Sequence, residues 1–555
     1  MRPRQPESGA RPAAVPDPPA PVVAGRAAAR VCCRAMLTPR RASWALALAA
    51  AWLVVAPPAR AAYHALEEIP TESPVYRLVE ELATNYGFGV SFLHTEPWTR
   101  AELGQFLDQL AATAPASATD PDMIRLRREL APSDALGGWE PAEVLEDTTS
   151  SLELSPYARA DYTEDRARHD IDRDFRVGGQ ASYAPTPDVM LWSDVYAGTR
   201  SEGGHGNPVA SVHFGIIEGV QFNSYFDRAD AMWSGKLGRV ELGHTWLRWG
   251  PGAWGTMALS DAAPAFDVLE VRTPILRRAQ LEWFVASLDP ATQSYLAGHR
   301  LEIRPTQRLD LSFGELARFD GTASVPLYLL PVVPYSLIEK RIIDDSSLPS
   351  DSLNGLGKNN VMWTMDAAYQ ARPYLRTYGE LAIDDISFSS EKRPRALAWQ
   401  IGFDARRVQD GGAWTLRGEY SRVYQYTYSV WHHHDFDFAG VSTAFPLGPD
   451  VDRLNGRLEW RSGPEWAFGI EGAFQRKGEG ELGEYYVPGS GPVNNLVLSG
   501  ILDIDSRAAT TVDYSPAPGL VAGLTLGMAR VTNLNHELGD DPHGVYGQTR
   551  FTVRW

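Results

Sequence analysis

The sequence predicts an all-β transmembrane barrel of antiparallel strands behind a small N-terminal α-helical bundle. Three observations predict it: an export signal near the amino end, a period-two alternation of apolar and polar residues sustained from about Leu152 to the last residue, and a final strand that ends on an aromatic side chain.

Residues 1–61 carry the export signal. Pro39-Arg40-Arg41 forms a basic patch, Trp44 to Ala56 an apolar run, and Ala59-Arg60-Ala61 a small-x-small cleavage site. The apolar run is shorter than the roughly 20 residues a spanning helix needs. Met36 stands just before the basic patch, so residues 1–35 read as an upstream extension from a misassigned start; the alternative is a long basic leader. Both cysteines, Cys32 and Cys33, fall in this segment, so the mature chain is expected to hold no disulfide, thiol chemistry or lipid-anchoring cysteine. The whole chain has a net charge of −17; without the nine arginines and two acids of residues 1–61 it becomes −24. That balance excludes nucleic acid, which calls for basic patches. It fits acidic lumens and loops, or divalent-ion bridging to anionic surface glycans.

Residues 62–145 are expected to form a periplasmic helical bundle, or plug. Pro74 opens a helix with Val75, Leu78, Val79 and Leu82 on one face. Thr99 and Glu102 make a capping box for a second, with Leu103, Phe106, Leu107 and Leu110 inward. Asp120-Pro121 begins a third, with Ile124, Leu126 and Leu130. Short amphipathic helices cannot bury their faces singly, so the three should pack together.

Residues 146–555 read as the barrel. Val361, Trp363, Met365 and Tyr369 alternate with Thr364, Asp366 and Gln370; Leu454, Leu458 and Trp460 alternate with Asn455, Arg457, Glu459 and Arg461. In a soluble sandwich the apolar face would meet a second sheet; in a membrane barrel it would meet lipid and the polar face would line the lumen. Alternation does not separate these cases, but the export signal and the strand train favour the barrel. Phe551, Val553 and Trp555 share one face of the last strand, resembling the signal read by the outer-membrane barrel-assembly machinery. Lipid cannot satisfy an open sheet edge, so the sheet must close. At roughly 20–25 residues per strand and connection, about 16–20 strands fit. Candidate outer loops are Gly321 to Asn360, with a short helix in Pro334 to Ile343, then Ser429 to Gly440 and Lys477 to Asn495.

The stretch Gly238 to Ile275 organises the rest. Val240, Leu242 and His244 alternate with Arg239, Glu241 and Gly243, and a second strand resumes near Phe266 to Val271. Between them, Arg248-Trp249-Gly250-Pro251-Gly252-Ala253-Trp254-Gly255 forces a compact excursion. Trp249, Gly250, Pro251 and Gly252, followed by Leu259, Ser260, Asp261, Ala262 and Pro264, resemble the capsule assembly Wzi family of bacterial outer-membrane proteins. In order and length the resemblance runs over residues 63–555, with motif-level matching in the central stretch. It implies eighteen strands, a helical bundle on the periplasmic mouth, loops over the outer mouth, and a plugged barrel in place of a diffusion channel.

Trp246, Trp249 and Trp254 offer flat faces for sugar rings, and Arg248 a fork for an acidic sugar's carboxylate. The alternative is that the tryptophans pack the hairpin or girdle the membrane interface. Tyr424, Tyr426, Tyr428 and Trp431 have the same two readings, and Tyr485 and Tyr486 lie in a candidate outer loop. His432 and His434 could chelate a metal, with Asp435 and Asp437 near, but the stretch reads as a solvated loop and no metal or cofactor is expected. Asp344-Asp345 and Asp384-Asp385 are adjacent carboxylates without the spatial separation acid–base work needs, and no catalytic motif occurs. From the resemblance comes the expected function: a non-enzymatic, monomeric outer-membrane protein that attaches or organises capsular polysaccharide or exopolysaccharide, embedded among outer-membrane lipids and lipopolysaccharide. The alternatives are a porin-like solute channel and a lipid- or glycan-modifying enzyme.

Overall fold

The computed structural model describes residues 64–554, apart from residue 90 and segments 131–144, 148–149, 201–211, 218–219, 339–358, 386–393, 410, 431–433 and 488–496. The export signal, Cys32, Cys33, Asp344, Asp345, Trp431, His432 and Trp555 lie outside the described residues.

Three helices open the described chain: α1 (Pro74–Tyr86), α2 (Arg100–Thr113) and α3 (Pro121–Leu130). Ser73 caps α1 through Val75 N–H, and Thr99 and Glu102 form the expected reciprocal capping box on α2. The predicted faces of α1 and α2 pack together, with Leu78, Leu82, Leu103, Phe106 and Leu110 fully buried. The face of α3 is turned from the expected one. Met123 and Leu126 are buried whereas Ile124 is only half-buried, because Asp122 faces inward to meet Arg406 and Arg461 of the wall.

Eighteen long strands then close into one antiparallel barrel. They are β1 (Ser150–Asp165), β2 (Asp170–Thr186), β3 (Val189–Arg200), β4 (Val220–Gly235), β5 (Gly238–Thr245) and β6 (Phe266–Leu276). Next come β7 (Ala279–Asp289), β8 (Ser294–Thr306), β9 (Leu309–Asp320), β10 (Asn359–Arg372), β11 (Leu375–Asp385) and β12 (Ala396–Gln409). The last are β13 (Gly412–Val423), β14 (Val451–Ser462), β15 (Trp466–Lys477), β16 (Asp503–Ala517), β17 (Leu520–Thr532) and β18 (His543–Arg554). The seam pairs β18 with β1, Phe551 opposite Ala160 and Arg554 opposite Tyr157. The predicted central hairpin is present, with Thr245 opposite Phe266 and Arg239 opposite Arg272.

Which face of each strand is buried decides between sandwich and barrel. Leu242 and Ile470 are both 61% exposed, and Trp363, Ile401, Leu416, Leu454 and Leu526 are exposed as well. Their alternating neighbours Glu241, Thr364, Gln400, Arg417 and Asn455 are buried. Apolar outside and charged inside is the surface a lipid bilayer selects, so the chain is an outer-membrane-type barrel. No helix among the described residues is long and apolar enough to cross a membrane, so the strands do the crossing.

Every second connection, from β2–β3 round to β16–β17, is two or three residues long, which marks the periplasmic end. Near these turns Trp466 stacks on Tyr514 at 4.2 Å and Trp414 lies 5.0 Å from Trp460, as in an interfacial aromatic girdle. The three candidate outer loops all fall at the opposite end. In the first, Thr322–Ser324 and Val325–Tyr328 form short helical turns, and helical backbone from Tyr335 to Ile338 accords with the helix expected there.

Candidate functional site

The candidate site is the lumen, and it is filled from both ends. From the periplasmic end α1 and α3 deliver carboxylates to arginines on the inward face of the wall. Arg406 of β12 grips both oxygens of Asp120 at 2.7 Å, and Arg461 of β14 holds Asp122 at 2.6 Å. Arg376 of β11 and Arg417 of β13 hold Glu80 at 3.2 and 3.0 Å. Arg77 of α1 reverses the polarity, reaching Glu459 of β14 at 2.5 Å. Neighbouring wall charges also pair, as Arg300 does with Asp366 at 2.6 Å. Buried pairs of this kind add little net stability compared with an apolar packing, but losing one partner strands the other in a dry site. They therefore fix where the helices sit.

From the outer end, residues 246–265 turn inward. Gly250 adopts φ +125°, and a Cβ there would run into the Glu380 carboxylate. The tight path leaves amide groups with no partner in the loop itself, and two wall glutamates accept them. Glu380 of β11 takes Gly252 N–H at 2.7 Å and Met257 N–H at 2.6 Å; Glu419 of β13 takes Ala253 N–H at 2.7 Å and Trp254 N–H at 3.4 Å. Arg248–Trp249 pairs with Thr95–Glu96 as a two-residue antiparallel ladder, so the inward loop and the segment before α2 meet inside the barrel. Arg248 bonds Glu96 at 2.9 Å and donates to the Gly252 carbonyl. Burial pushes the Glu96 carboxyl up to about 8, Asp261 adding to the shift and Arg248 opposing it.

Trp249 lies at the centre of this plug. It is 0% exposed, its indole N–H donates to Glu282 at 2.6 Å, and its ring meets Phe284 edge-on at 5.3 Å. Gly298 of β8 leaves room for the indole where a side chain would collide. Trp249 N–H also donates to the Leu259 carbonyl at 2.9 Å, which brings the two halves of the sequence motif together. Ser260 N–H continues to Thr443 at 2.8 Å in the connection after β13. Tyr428, Phe436 and Phe445 of that connection complete an apolar core with Leu247, Met257 and Leu259. The outer loop thus sits as a lid on the inward one.

The sequence-predicted candidates separate accordingly. Trp249, Gly250, Pro251, Gly252, Leu259, Ser260 and Pro264 are buried in the plug, and Trp249 as packed presents no ring face to a ligand. Arg248 is committed to Glu96 and Gly252. Trp254 is half-buried. Trp246 is half-buried too, donating from its indole to Ala263 at 3.0 Å. It lines a cavity of about 590 Å³ against the β1–β4 wall, with Glu72, Arg159, Asp174, Arg176 and Asp194. Tyr485 is 38% exposed at the outer mouth, and half-buried Tyr486 lies edge-on to Tyr426 at 5.8 Å. His434 is buried and 3.1 Å from Asp320, which places it in the protein and not in a solvated loop. Asp384 accepts from Tyr428 N–H at 2.6 Å, a structural task.

The residues that hold the plug, Glu380, Glu419, Glu282, Arg376 and Arg406, were not singled out from the sequence. The available signal is charge at every second position of a strand, as in Arg300, Glu302, Arg304 or Arg457, Glu459, Arg461. Isolated water-facing strands need no such density, whereas a lumen packed with protein must pair each charge.

No family model matches the chain, and no curated protein sequence does. Among solved structures, the chain is similar to Wzi, described as an outer-membrane protein involved in group 1 capsule assembly in Escherichia coli and a carbohydrate-binding β-barrel. The identity is 13%, the match covers 88% of this chain and 99% of that one, and the TM-score is 0.58. OprD of Pseudomonas aeruginosa matches at 11% identity over 73% of this chain and 94% of its own, with a TM-score of 0.40. OccD3 of the same organism matches at 12% identity over 73% and 91%, with a TM-score of 0.42. The resemblance read at Trp249–Gly252 is therefore borne out at the level of fold: this chain is an eighteen-stranded closed barrel built along the same lines as Wzi.

Proposed function

We propose that the protein is a non-enzymatic surface barrel that attaches or organises capsular polysaccharide or exopolysaccharide at the outer membrane. The observation that carries this reading is the filled lumen. A barrel whose interior is occupied by its own inward loop and helical head, and capped by an outer loop, offers its outer rim and not a pore as working surface. The fold it shares with a barrel described as carbohydrate-binding supports the same reading. On this view residues 1–61 are the removed leader, 62–145 the plug and 146–555 the barrel. The barrel-assembly machinery reads Phe551, Val553 and Trp555, and the monomer stands among outer-membrane lipids and lipopolysaccharide.

Polymer contact then falls to the exposed rim, with Tyr485 and Tyr486 stacking on sugar faces and Trp246 and Trp254 reached only where the lid parts. Each contact is weak, and many along one polymer add through effective concentration. Deleting the gene should leave polymer synthesis intact and shift polymer from the cells to the medium. Unchanged cell-bound polymer rejects the reading. Replacing Tyr485 and Tyr486 together by alanine should weaken binding of purified polymer about 5–150-fold, as loss of two stacking contacts of about 0.5–1.5 kcal/mol each implies, with heat-modifiable gel migration unchanged.

One observation favours the channel reading. The cavity beside Trp246 is lined by Glu72 and Arg554 near the periplasmic end and by Thr163 and Asp170 near the outer end. If it conducts, charge-reversing Arg159 and Arg176 should change ion selectivity.

A further inference from the structure

We infer that His94, Glu302 and Asp310, with Asp366 beside them, form a site for one divalent cation of the Zn2+ class that staples the lumenal segment before α2 to the barrel wall. His94 belongs to that segment, Glu302 to β8, Asp310 to β9 and Asp366 to β10, three adjacent strands. One ligand atom from each of His94, Glu302 and Asp310 lies within 4.8 Å of the others. His94 Nδ1 stands 3.9 Å from Asp310 Oδ1 and 3.7 Å from Asp366 Oδ1, too far for hydrogen bonds.

The second, independent observation is that several groups aimed into this space lack donors, although Glu302 itself accepts from Thr95 Oγ1 and from His94 N–H. His94 is 1% exposed and Asp310 0%, yet His94 Nδ1 and Asp366 Oδ1 have no hydrogen-bond partner, and Asp310 meets only the Glu302 carboxyl. Buried carboxylate oxygens without a donor are rare and costly. The surrounding cations do not supply one. Arg304 Nε is 4.0 Å from Asp310 Oδ2, while Arg300 is committed to Asp366 Oδ2 at 2.6 Å and Ser312 at 2.7 Å. Three carboxylates thus crowd into this space, with Arg300 and Arg304 beside them and Arg376 behind the His94 ring.

A nitrogen donor with carboxylate oxygens is the donor set of Zn2+ and its neighbours; Ca2+ and Mg2+ take oxygen alone. Around a metal at roughly 2.0–2.2 Å, ligand atoms stand about 3–3.6 Å apart, so these donors close in by side-chain rotation of less than about 1 Å. Burial, with Arg376 next, holds the His94 imidazole well below its usual range, so it is neutral as a ligand must be. Arg376 donates to His94 Nε2 at 3.2 Å; a metal on Nδ1 moves the imidazole proton to Nε2, and Arg376 then gives up that bond and keeps Asp404 at 2.8 Å and Glu80 at 3.2 Å. A second cluster, Glu68, Glu241 and Glu270, is equally tight, but there Arg239 Nη2 already stands 3.0 Å from Glu68 and 3.2 Å from Glu270 and fills the cationic role.

The test uses the full chain in detergent, stripped with EDTA, loaded with Zn2+, gel-filtered and assayed for metal. The expected result is one Zn2+ per chain, retained against a hundredfold excess of Mg2+. His94→Gln and Asp310→Asn should each weaken binding at least tenfold, while a variant with His432→Gln and His434→Gln binds as the wild type. No retained Zn2+, wild-type retention by either lumenal variant, displacement by Mg2+, or loss only in the His432/His434 variant would overturn the proposal. Where a lumenal variant fails the heat-modifiability check for folding, Co2+-loaded wild-type protein decides: a visible spectrum of mixed nitrogen–oxygen ligation supports the site, and one of aqueous Co2+ rejects it.

Discussion

At the residue scale, the plug depends on a few side chains that serve the backbone. Trp249→Ala removes a fully buried indole and leaves Glu282 without its donor, so it should cost about 3–5 kcal/mol, read as a lower urea or thermal midpoint. Glu380→Ala strips acceptors from Gly252 and Met257. At about 1.5–3 kcal/mol for a hydrogen bond to a charged group, amide exchange in residues 250–257 should speed at least tenfold while the wall amides hold. The sequence showed the type of Trp249 and the turn chemistry around it, because aromatic and glycine residues declare themselves locally. It did not show Glu380 or Glu419 as partners, because a carboxylate gains its partner from strand register and from a loop more than a hundred residues away.

At the element scale, helices and strands were legible and their docking was not. Thr99 and Glu102 marked the start of α2 because a cap is a contact across three residues. The inward direction of residues 246–265 had no such local mark. Glycine and proline say that a chain turns, not which side of the wall it turns to. The face of α3 was misjudged for a related reason: counting apolar residues alone places Ile124 inward, but Asp122 has buried arginine partners that claim the face. Docking carries a pH dependence. Glu96 in the seated plug has its carboxyl near 8, and burial with Asp122 lifts Glu81 of α1 to about 8 as well. Between the free value near 4.5 and about 8, the seated form holds protons that the released form gives up. Seating is therefore favoured at low pH and weakens as pH rises, by up to about tenfold per unit for each group. Limited proteolysis of the helical head should be faster at pH 8.5 than at pH 6, and Glu96→Gln should reduce that difference to the share of Glu81. A rate that falls with rising pH, after correction for the protease, would contradict the assignment.

At the scale of the whole molecule, alternation gave the wall but left its inside and outside undetermined. The structure resolves this through burial: the greasy faces of β5, β10 and β13 are open and the charged faces are shut. A soluble sandwich would reverse that order. Closure of β18 on β1 removes the last free edge, and the charge-dense inner face is matched to a head and a loop that carry the complementary groups. The lumen is accordingly packed where the head and the inward loop meet β5–β14, while a cavity remains beside Trp246 and Glu471 and Asp513 stay partly exposed.

The most direct test is single-channel conductance in planar bilayers of the mature chain, intact and lacking residues 62–135. The intact protein should show no steady porin-sized current, and the deletion should open one, since it withdraws Glu80, Asp120 and Asp122 from their arginines and Thr95–Glu96 from the inward loop. A steady open channel in the intact protein, unchanged by the deletion, would contradict a plugged barrel.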